Sequence, residues 1–117
     1  MKKSGGDGLA ALLALSGAIA VIAGAYGAHG AAGKAAEWLR TGAEYQLIHV
    51  LAGLYAASRP KGRGPAILFL IGATVFAGTL YAMALGGPRI LGAVTPLGGL
   101  AMILAWIWLA ATMVRGK

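Results

Sequence analysis

Four stretches of the chain contain no charged residue, and their lengths decide how each is interpreted. They cover residues 8–33, 45–58, 64–88 and 90–114, which are 26, 14, 25 and 25 residues long. A helix rises about 1.5 Å per residue, so about 20 apolar residues cross the roughly 30 Å hydrocarbon layer of a bilayer. The first, third and fourth stretches therefore predict transmembrane helices. The second is long enough only if it is extended to Thr41, with Glu44 and Arg59 at the interfaces.

The pattern predicts an all-α fold, an integral membrane four-helix bundle that forms a single domain. The domain covers 1–117, with spans at about 8–29, 41–58, 65–86 and 95–114. Pro65 and Pro96 suit a first helical turn, where the missing N–H costs nothing, and Thr95 is a favourable N-cap. Gly86-Gly87-Pro88 predicts the end of the third helix.

A short interfacial helix is expected before the second span. Lys34, Glu37, Arg40 and Glu44 follow one another at spacings of three and four residues, which places opposite charges on one helical face. Trp38 lies among them and fits an anchor at the membrane interface. We therefore expect a surface helix that continues into the second span.

Basic residues are distributed unevenly between the two ends of the predicted bundle. Seven lie on one side and three on the other, which places both termini in the cytoplasm of a bacterial inner membrane. The seven are Lys2, Lys3, Arg59, Lys61, Arg63, Arg115 and Lys117, and the three are Lys34, Arg40 and Arg89. A three-span chain with an external N-terminus gives the same count, so charge alone leaves the second span open.

Composition agrees with a membrane protein and excludes several classes of function. Hydrophobic residues make up 59% of the chain and charged residues 11%, whereas a soluble domain has about 25% charged residues. The net charge of +7 comes from residues that flank apolar stretches, so we expect a lipid bilayer and no nucleic acid as partner. The chain has no cysteine, which excludes disulfides, thiolate metal sites and cysteine nucleophiles.

Small residues at four-residue spacing predict the surfaces on which the helices pack. Lipid tails are as apolar as leucine, so helices in a membrane associate through close contact and not through escape from water. The predicted packing positions are Ser16, Ala20, Gly24 and Ala28 on the first span and Thr74, Gly78, Ala82 and Gly86 on the third.

Polar residues inside the spans are few, and they define one candidate site. Tyr45, Gln46 and His49 are close together on the second span, and His29 ends the first. If these helices are antiparallel neighbours, His29 approaches the other three near the outer face, forming a patch suited to a quinone, a haem or another lipid-soluble ligand. The structural alternatives are a helix C-cap for His29 and, for His49, a hydrogen bond to Thr79 or to the backbone of a neighbouring helix.

Other kinds of site are not indicated. Two histidines without a third ligand do not predict a metal site, and we expect no resident cofactor. Hydroxyls such as those of Ser16 and Ser58 have no base beside them, so we expect no catalytic residue and no enzyme. The spans contain no charged residue near the bilayer centre, which weighs against a transporter.

Several motifs together resemble one known family. Gly-Ala-Tyr-Gly-Ala-His-Gly at 24–30, the stretch 38–49 ending in Tyr-Gln-Leu-Ile-His, Gly-Thr-Leu-Tyr at 78–81 and Thr-Pro-Leu-Gly-Gly at 95–99 resemble the domain of unknown function 423 family of small bacterial inner-membrane proteins, whose animal relatives are called transmembrane protein 256. The resemblance runs from about Gly24 to Trp106. It implies a four-span inner-membrane protein and supports the second span, and it implies no activity or catalytic residue.

These observations favour a non-enzymatic membrane subunit. Its role is expected to be accessory or in assembly, within a homo-oligomer or a larger membrane complex, because short connections leave little except helix faces for an interaction. Binding of a lipid-soluble small molecule is the alternative, and transport is third.

Overall fold

Four long α-helices make up most of the computed structural model, which describes residues 8–115. They are α1 (Gly8–His29), α2 (Gly33–Ala57), α3 (Arg63–Ala84) and α4 (Thr95–Arg115), and a 3₁₀ helix, Arg89–Ala93, precedes α4. Among the described residues, three segments are long and apolar enough to cross a membrane, namely α1, α3 and the 3₁₀ helix together with α4. The prediction of an all-α fold is confirmed. Lys2, Lys3 and Lys117, which were used to orient the chain, lie outside the described residues.

The second helix starts earlier than the predicted second span. Residues 33–44, where an interfacial helix was expected, form the first turns of α2 without a break. Lys34 and Glu37 form an exposed ion pair with an N–O distance of 3.5 Å, and no salt bridge within residues 8–115 extends it to Arg40 or Glu44. The charges in this half explain why α2 is not among the helices apolar enough to span.

The helices pack as antiparallel neighbours around a central pair, α2 and α3. Along α1 and α2, contacts run from Leu13 against Gly53 to Gly27 against Leu39. The outer helices then flank the pair: α1 packs mainly on α2 and α4 mainly on α3, and within the described chain any contact between α1 and α4 is marginal. Four helices are therefore present, but in an open order and not as the closed ring that a four-helix bundle would form.

The main core cluster draws residues from all four helices. Its larger members are Leu13 of α1, Val50 of α2, Phe69 of α3, and Met102 and Leu109 of α4. Alanines fill much of the remaining interior, so the helix backbones approach closely, as expected where packing must drive association in lipid.

Packing on α1 follows a different spacing from the predicted one. The buried residues are Leu13, Ser16, Ala20, Ala23 and Gly27, which alternate steps of three and four. Steps of four advance by about 40° around a helix with 3.6 residues per turn, so a strict four-residue row leaves the contact surface. Ser16 and Ala20 are buried and Gly24 is half-buried, but Ala28 is exposed, and its assignment as a packing position is wrong within this chain.

The predicted packing row on α3 faces away from the neighbouring helices. Thr74, Gly78 and Gly86 are exposed and Ala82 is half-buried, while the inner face carries Phe69, Gly72, Ala73, Ala77 and Leu80. Small residues occur on both faces of α3, so their spacing alone did not identify the face that packs within the chain.

Glycines end α3 as the sequence predicts. The helix stops at Ala84, Gly86 adopts a left-handed φ of 101°, and the Gly87 N–H donates a 2.7 Å hydrogen bond to the Ala82 carbonyl. This bond satisfies a carbonyl that the helix end would otherwise leave unpaired. The sharp turn brings the 3₁₀ helix back over the bundle, where the Arg89 guanidinium lies 5.9 Å from the Trp38 ring centroid.

Candidate functional site

The amide of Gln46 links three helices in the interior. Its Nε2 donates a 2.8 Å hydrogen bond to Ser16 Oγ on α1, and the Tyr81 hydroxyl on α3 donates a 2.6 Å bond to Gln46 Oε1. Gln46 is 4% exposed and Ser16 is 7% exposed. Both ends of the amide are therefore satisfied within the chain, and the arrangement is a structural clamp, which we call the Ser16–Gln46–Tyr81 network.

Space for the Tyr81 ring comes from a glycine on α2. A Cβ at Gly42 would lie 2.7 Å from Tyr81 Cε1, a distance that real side chains essentially never reach. Gly42 is one helical turn before Gln46, so the Tyr81 ring packs against Gly42 while the Tyr81 hydroxyl reaches the Gln46 amide.

The imidazole of His49 lies in an aromatic cluster formed by α2, α3 and α4. Its ring centroid is 5.9 Å from that of Tyr45, 6.0 Å from that of Phe69 and 5.9 Å from that of Trp106. Phe69 and Trp106 meet edge to face at 4.9 Å, and Phe76 packs on Tyr45 at 4.8 Å. These distances are typical of favourable aromatic contacts.

Hydrogen bonding decides which nitrogen of His49 is free. Nδ1 lies 2.6 Å from the Tyr45 carbonyl oxygen, which only accepts, so Nδ1 carries the proton and donates. In the neutral ring Nε2 is then an acceptor, and it has no hydrogen-bond partner within residues 8–115. The expected bond to Thr79 or to a neighbouring helix is therefore wrong, because His49 uses the carbonyl of its own helix.

The four predicted patch residues do not come together. Tyr45 and His49 lie in the aromatic cluster, Gln46 points to α1 and α3, and His29 is exposed at the end of α1. A Cβ at Gly17 would contact Val50 and Leu47, so His29, twelve residues further along α1, is about 18 Å away along the axis. The antiparallel packing that was expected to bring the histidines together instead separates them.

The depth of the aromatic cluster also differs from the prediction. His49 is sixteen residues from the start of α2 and eight from its end, which correspond to about 24 Å and 12 Å. The cluster is therefore closer to the α2–α3 connection than to the α1–α2 connection, because α2 is longer than the predicted span.

A second polar contact joins α3 to α4. The hydroxyls of Thr79 and Thr95 are 2.6 Å apart, and each also lies near a carbonyl of its own segment, that of Val75 at 2.9 Å and that of Leu91 at 3.1 Å. Thr95 begins α4 as predicted, but it acts as an interhelical bridge and not as an N-cap.

Gly98 continues this junction one turn further along α4. A Cβ there would lie 2.8 Å from the Gly72 carbonyl oxygen and against the backbone of Phe76. The Thr-Pro-Leu-Gly-Gly motif therefore sets the contact between α3 and α4.

Three side chains of the network and the aromatic cluster were not predicted from the sequence as part of the candidate site. Tyr81 belongs to the Gly-Thr-Leu-Tyr motif but was not predicted as part of the patch, and Phe69 and Trp106 were not singled out as site residues. The available signal for Tyr81 was a hydroxyl within an apolar span, which needs a partner. Nothing local in the sequence marks Phe69 or Trp106. Within residues 8–115 no cluster of three or more metal-ligating side chains occurs.

Comparison with known proteins places the chain in a family. Residues 23–99 match the model of a protein of unknown function (DUF423). A UPF0382 membrane protein of Haemophilus influenzae is 36% identical over 115 residues, covering 91% of this chain and 93% of that protein. The UPF0382 inner membrane protein YgdD of Escherichia coli K12 is 34% identical and covers 68% of this chain and 66% of its own length. The UPF0382 membrane protein YwdK of Bacillus subtilis is 36% identical, with 64% and 67% covered.

No solved structure matches the chain significantly. Gln46 and Tyr81 of the network and Tyr45 and His49 of the aromatic cluster lie within the matched region, whereas Ser16 precedes it and Trp106 follows it. The chain is a membrane protein, and it belongs to the DUF423 (UPF0382) family.

Proposed function

We propose that the protein is a non-enzymatic membrane subunit. It acts by docking the face of α3 that points away from the neighbouring helices against a second copy or another membrane protein. The observation that carries this proposal is the row formed by Thr74 and Gly78. Both are exposed, and a Cβ at Gly78 would have no atom within 4 Å. A notch of small residues on a lipid-facing helix lets a partner backbone approach closely.

The pairing of the interior polar groups supports a binding role over a catalytic one. Gln46, Ser16 and Tyr81 bond to one another, and Thr79 bonds to Thr95. Groups that are engaged in this way stabilise the fold and are not free to act on a substrate.

The same proposal includes a four-span topology with both termini in the cytoplasm. In this topology α2 crosses as the second span, and its charged first turns lie at the outer interface. The hydrogen bonds from Gln46 to Ser16 and Tyr81 support the crossing, because they hold α2 between two apolar helices. The absence of cysteine allows a clean test by single-cysteine labelling. Lys34→Cys and Arg89→Cys should react with an impermeant maleimide added to intact cells, and Lys61→Cys should react only after lysis. If the Lys34→Cys and Lys61→Cys variants were labelled from the same side, four spans would be excluded.

Docking is tested by recovering the tagged protein from native membranes in mild detergent and quantifying what accompanies it. We expect a stoichiometric partner or a second copy, which Gly78→Ile should displace by filling the notch. Ala18→Ile, on the exposed face of α1, is the matched control and should leave the complex intact. A monomer without partner, or equal loss in both variants, contradicts the proposal.

The free Nε2 of His49 favours one second candidate, the binding of a lipid-soluble ligand that donates a hydrogen bond. The aromatic cluster around it provides flat apolar surfaces, and Trp106 and Tyr45 are 44% and 45% exposed. A quinol hydroxyl has the required chemistry. Extraction and mass spectrometry of molecules that copurify with the protein should then show an enriched species, and an extract identical to the surrounding lipid would remove this candidate.

A further inference from the structure

A cavity of about 280 Å³ lies where α1 begins and α2 connects to α3. One side is apolar and includes Leu9, Leu54 and Ala57, and the other carries the basic residues Arg59, Lys61 and Arg63. No acidic residue is among the described lining residues. The cavity therefore combines a positive rim with a hydrophobic wall at the level where helices end.

A tight turn concentrates the three basic residues. They occupy every second position at the end of the short connection from Ala57 to Arg63, and Lys61 adopts a left-handed φ of 64°. The Gly62 N–H donates a 3.0 Å hydrogen bond to the Arg59 carbonyl, which closes the turn. A side chain at Gly62 would overlap the Ala56 carbonyl oxygen, so this connection depends on glycine.

Arg59 is fixed in place but is only partly satisfied. Its Nη1 donates a 3.1 Å hydrogen bond to the Tyr55 hydroxyl, and its guanidinium lies 5.6 Å from the Tyr55 ring centroid. Its Nε–H is enclosed and has no hydrogen-bond partner within the described chain. An enclosed unpaired donor is unfavourable, so the Arg59 guanidinium keeps hydrogen-bonding capacity that the described residues do not use.

We propose that this cavity binds the phosphate group of an anionic phospholipid. Arg59 donates through its guanidinium, Lys61 and Arg63 add positive charge, and the acyl chains lie along the wall formed by Leu9 and Leu54. A guanidinium matches phosphate oxygens in charge and geometry. Basic residues at the ends of spans are common for topological reasons, but that bias does not explain an enclosed Nε–H.

The apolar wall favours a lipid over free phosphate as the source of the anion. A free ion would gain nothing from Leu9 and Leu54, whereas a lipid in the adjoining leaflet places its headgroup at this level while its chains contact both residues. Basic pockets between transmembrane helices are suited to such headgroups.

Native mass spectrometry of the full-length protein in mild detergent tests the proposal. The probes are phosphatidylglycerol and phosphatidylcholine with identical acyl chains, and inorganic phosphate in a separate experiment. We expect preferential retention of phosphatidylglycerol, and Arg59→Gln should weaken it at least about tenfold through loss of a charge-assisted hydrogen bond. Arg115→Gln removes the same charge from the same end outside the cavity, and should weaken retention by at most about fivefold.

Lys61→Gln serves as a second variant that leaves the Tyr55 contact intact, in case Arg59→Gln does not fold. It should weaken retention more than Arg115→Gln does. Equal retention of the two lipids, or equal effects of the cavity variants and Arg115→Gln, would overturn the proposal. Retention of inorganic phosphate as strong as that of phosphatidylglycerol would show a free-anion site and overturn the lipid assignment.

Discussion

The Tyr81 hydroxyl donates a 2.6 Å hydrogen bond to the side-chain oxygen of Gln46, thirty-five residues earlier in the chain. The same amide binds Ser16 through its nitrogen, so one side chain connects α1, α2 and α3. In a bilayer, where apolar surface gives helices no preference for one another, such a connection fixes both neighbours and register.

Tyr81→Phe should lower the free energy of unfolding by about 0.6 kcal/mol, the average for interhelical hydrogen bonds in membranes, and by no more than about 1.7 kcal/mol, the largest value for such bonds. In a Gln46→Leu background the same change should cost nothing or be stabilising, because the hydroxyl then has no partner. Unfolding of all four proteins in mixed micelles measures the coupling. Additive effects would show that the bond contributes no coupling energy.

Two glycine-to-alanine changes should have opposite effects. Gly98→Ala forces α4 away from the Gly72 carbonyl, and since backbone atoms cannot move aside locally we expect a loss of about 1–3 kcal/mol. Gly78→Ala enters open space and should be neutral or stabilise α3 by up to about 1 kcal/mol. Thermal unfolding of both variants in one detergent tests this, and equal destabilisation would contradict the close approach.

Thr95→Val preserves shape but removes the hydroxyl that faces Thr79. We expect faster amide hydrogen exchange at the start of α4, and little change in α1 and α2, because the bridge joins only α3 and α4. Thr41→Val, on the exposed face of α2, is the control and should leave exchange unchanged. Exchange mass spectrometry distinguishes the two, and a uniform increase along the chain would assign Thr95 a global role instead.

His49→Phe separates packing from ligand binding in the aromatic cluster. The ring contacts with Phe69 and Trp106 can be retained, and the Tyr45 carbonyl keeps its helical backbone bond, so the free energy of unfolding should change by less than about 1.5 kcal/mol. Any copurifying ligand that binds Nε2 should be lost from this folded variant. A large loss of stability would show that the imidazole itself is structurally required.

Local signals were sufficient for most of the fold. The length of each apolar stretch gave three spans, and Gly86-Gly87-Pro88 and Thr95-Pro96 marked helix ends, since these residues act on their own backbone. The charged pattern predicted a helix before the second span that continues into it, but it did not show whether these turns lie along the membrane surface, because opposite charges at helical spacing are equally compatible with a surface helix and with the first turns of a longer one.

The candidate site was only partly predictable because its contacts cross between helices. Tyr45 and His49 share a face of α2, but Gln46 is about 100° from Tyr45 around the helix. The predicted patch therefore grouped side chains that point in two different directions. The partner of Gln46 depends on the register of α3 against α2, and that register is set by the fit of Tyr81 over Gly42, which no local pattern encodes.

The open order of the helices has a consequence for synthesis. Every member of the Ser16–Gln46–Tyr81 network lies in the first three helices, and α4 packs mainly on α3. A nascent chain that has released α3 therefore already contains every group of the network that joins α2 to α1 and α3. α4 then packs onto an assembled unit of three helices, and the hydrogen bonds within that unit do not depend on it.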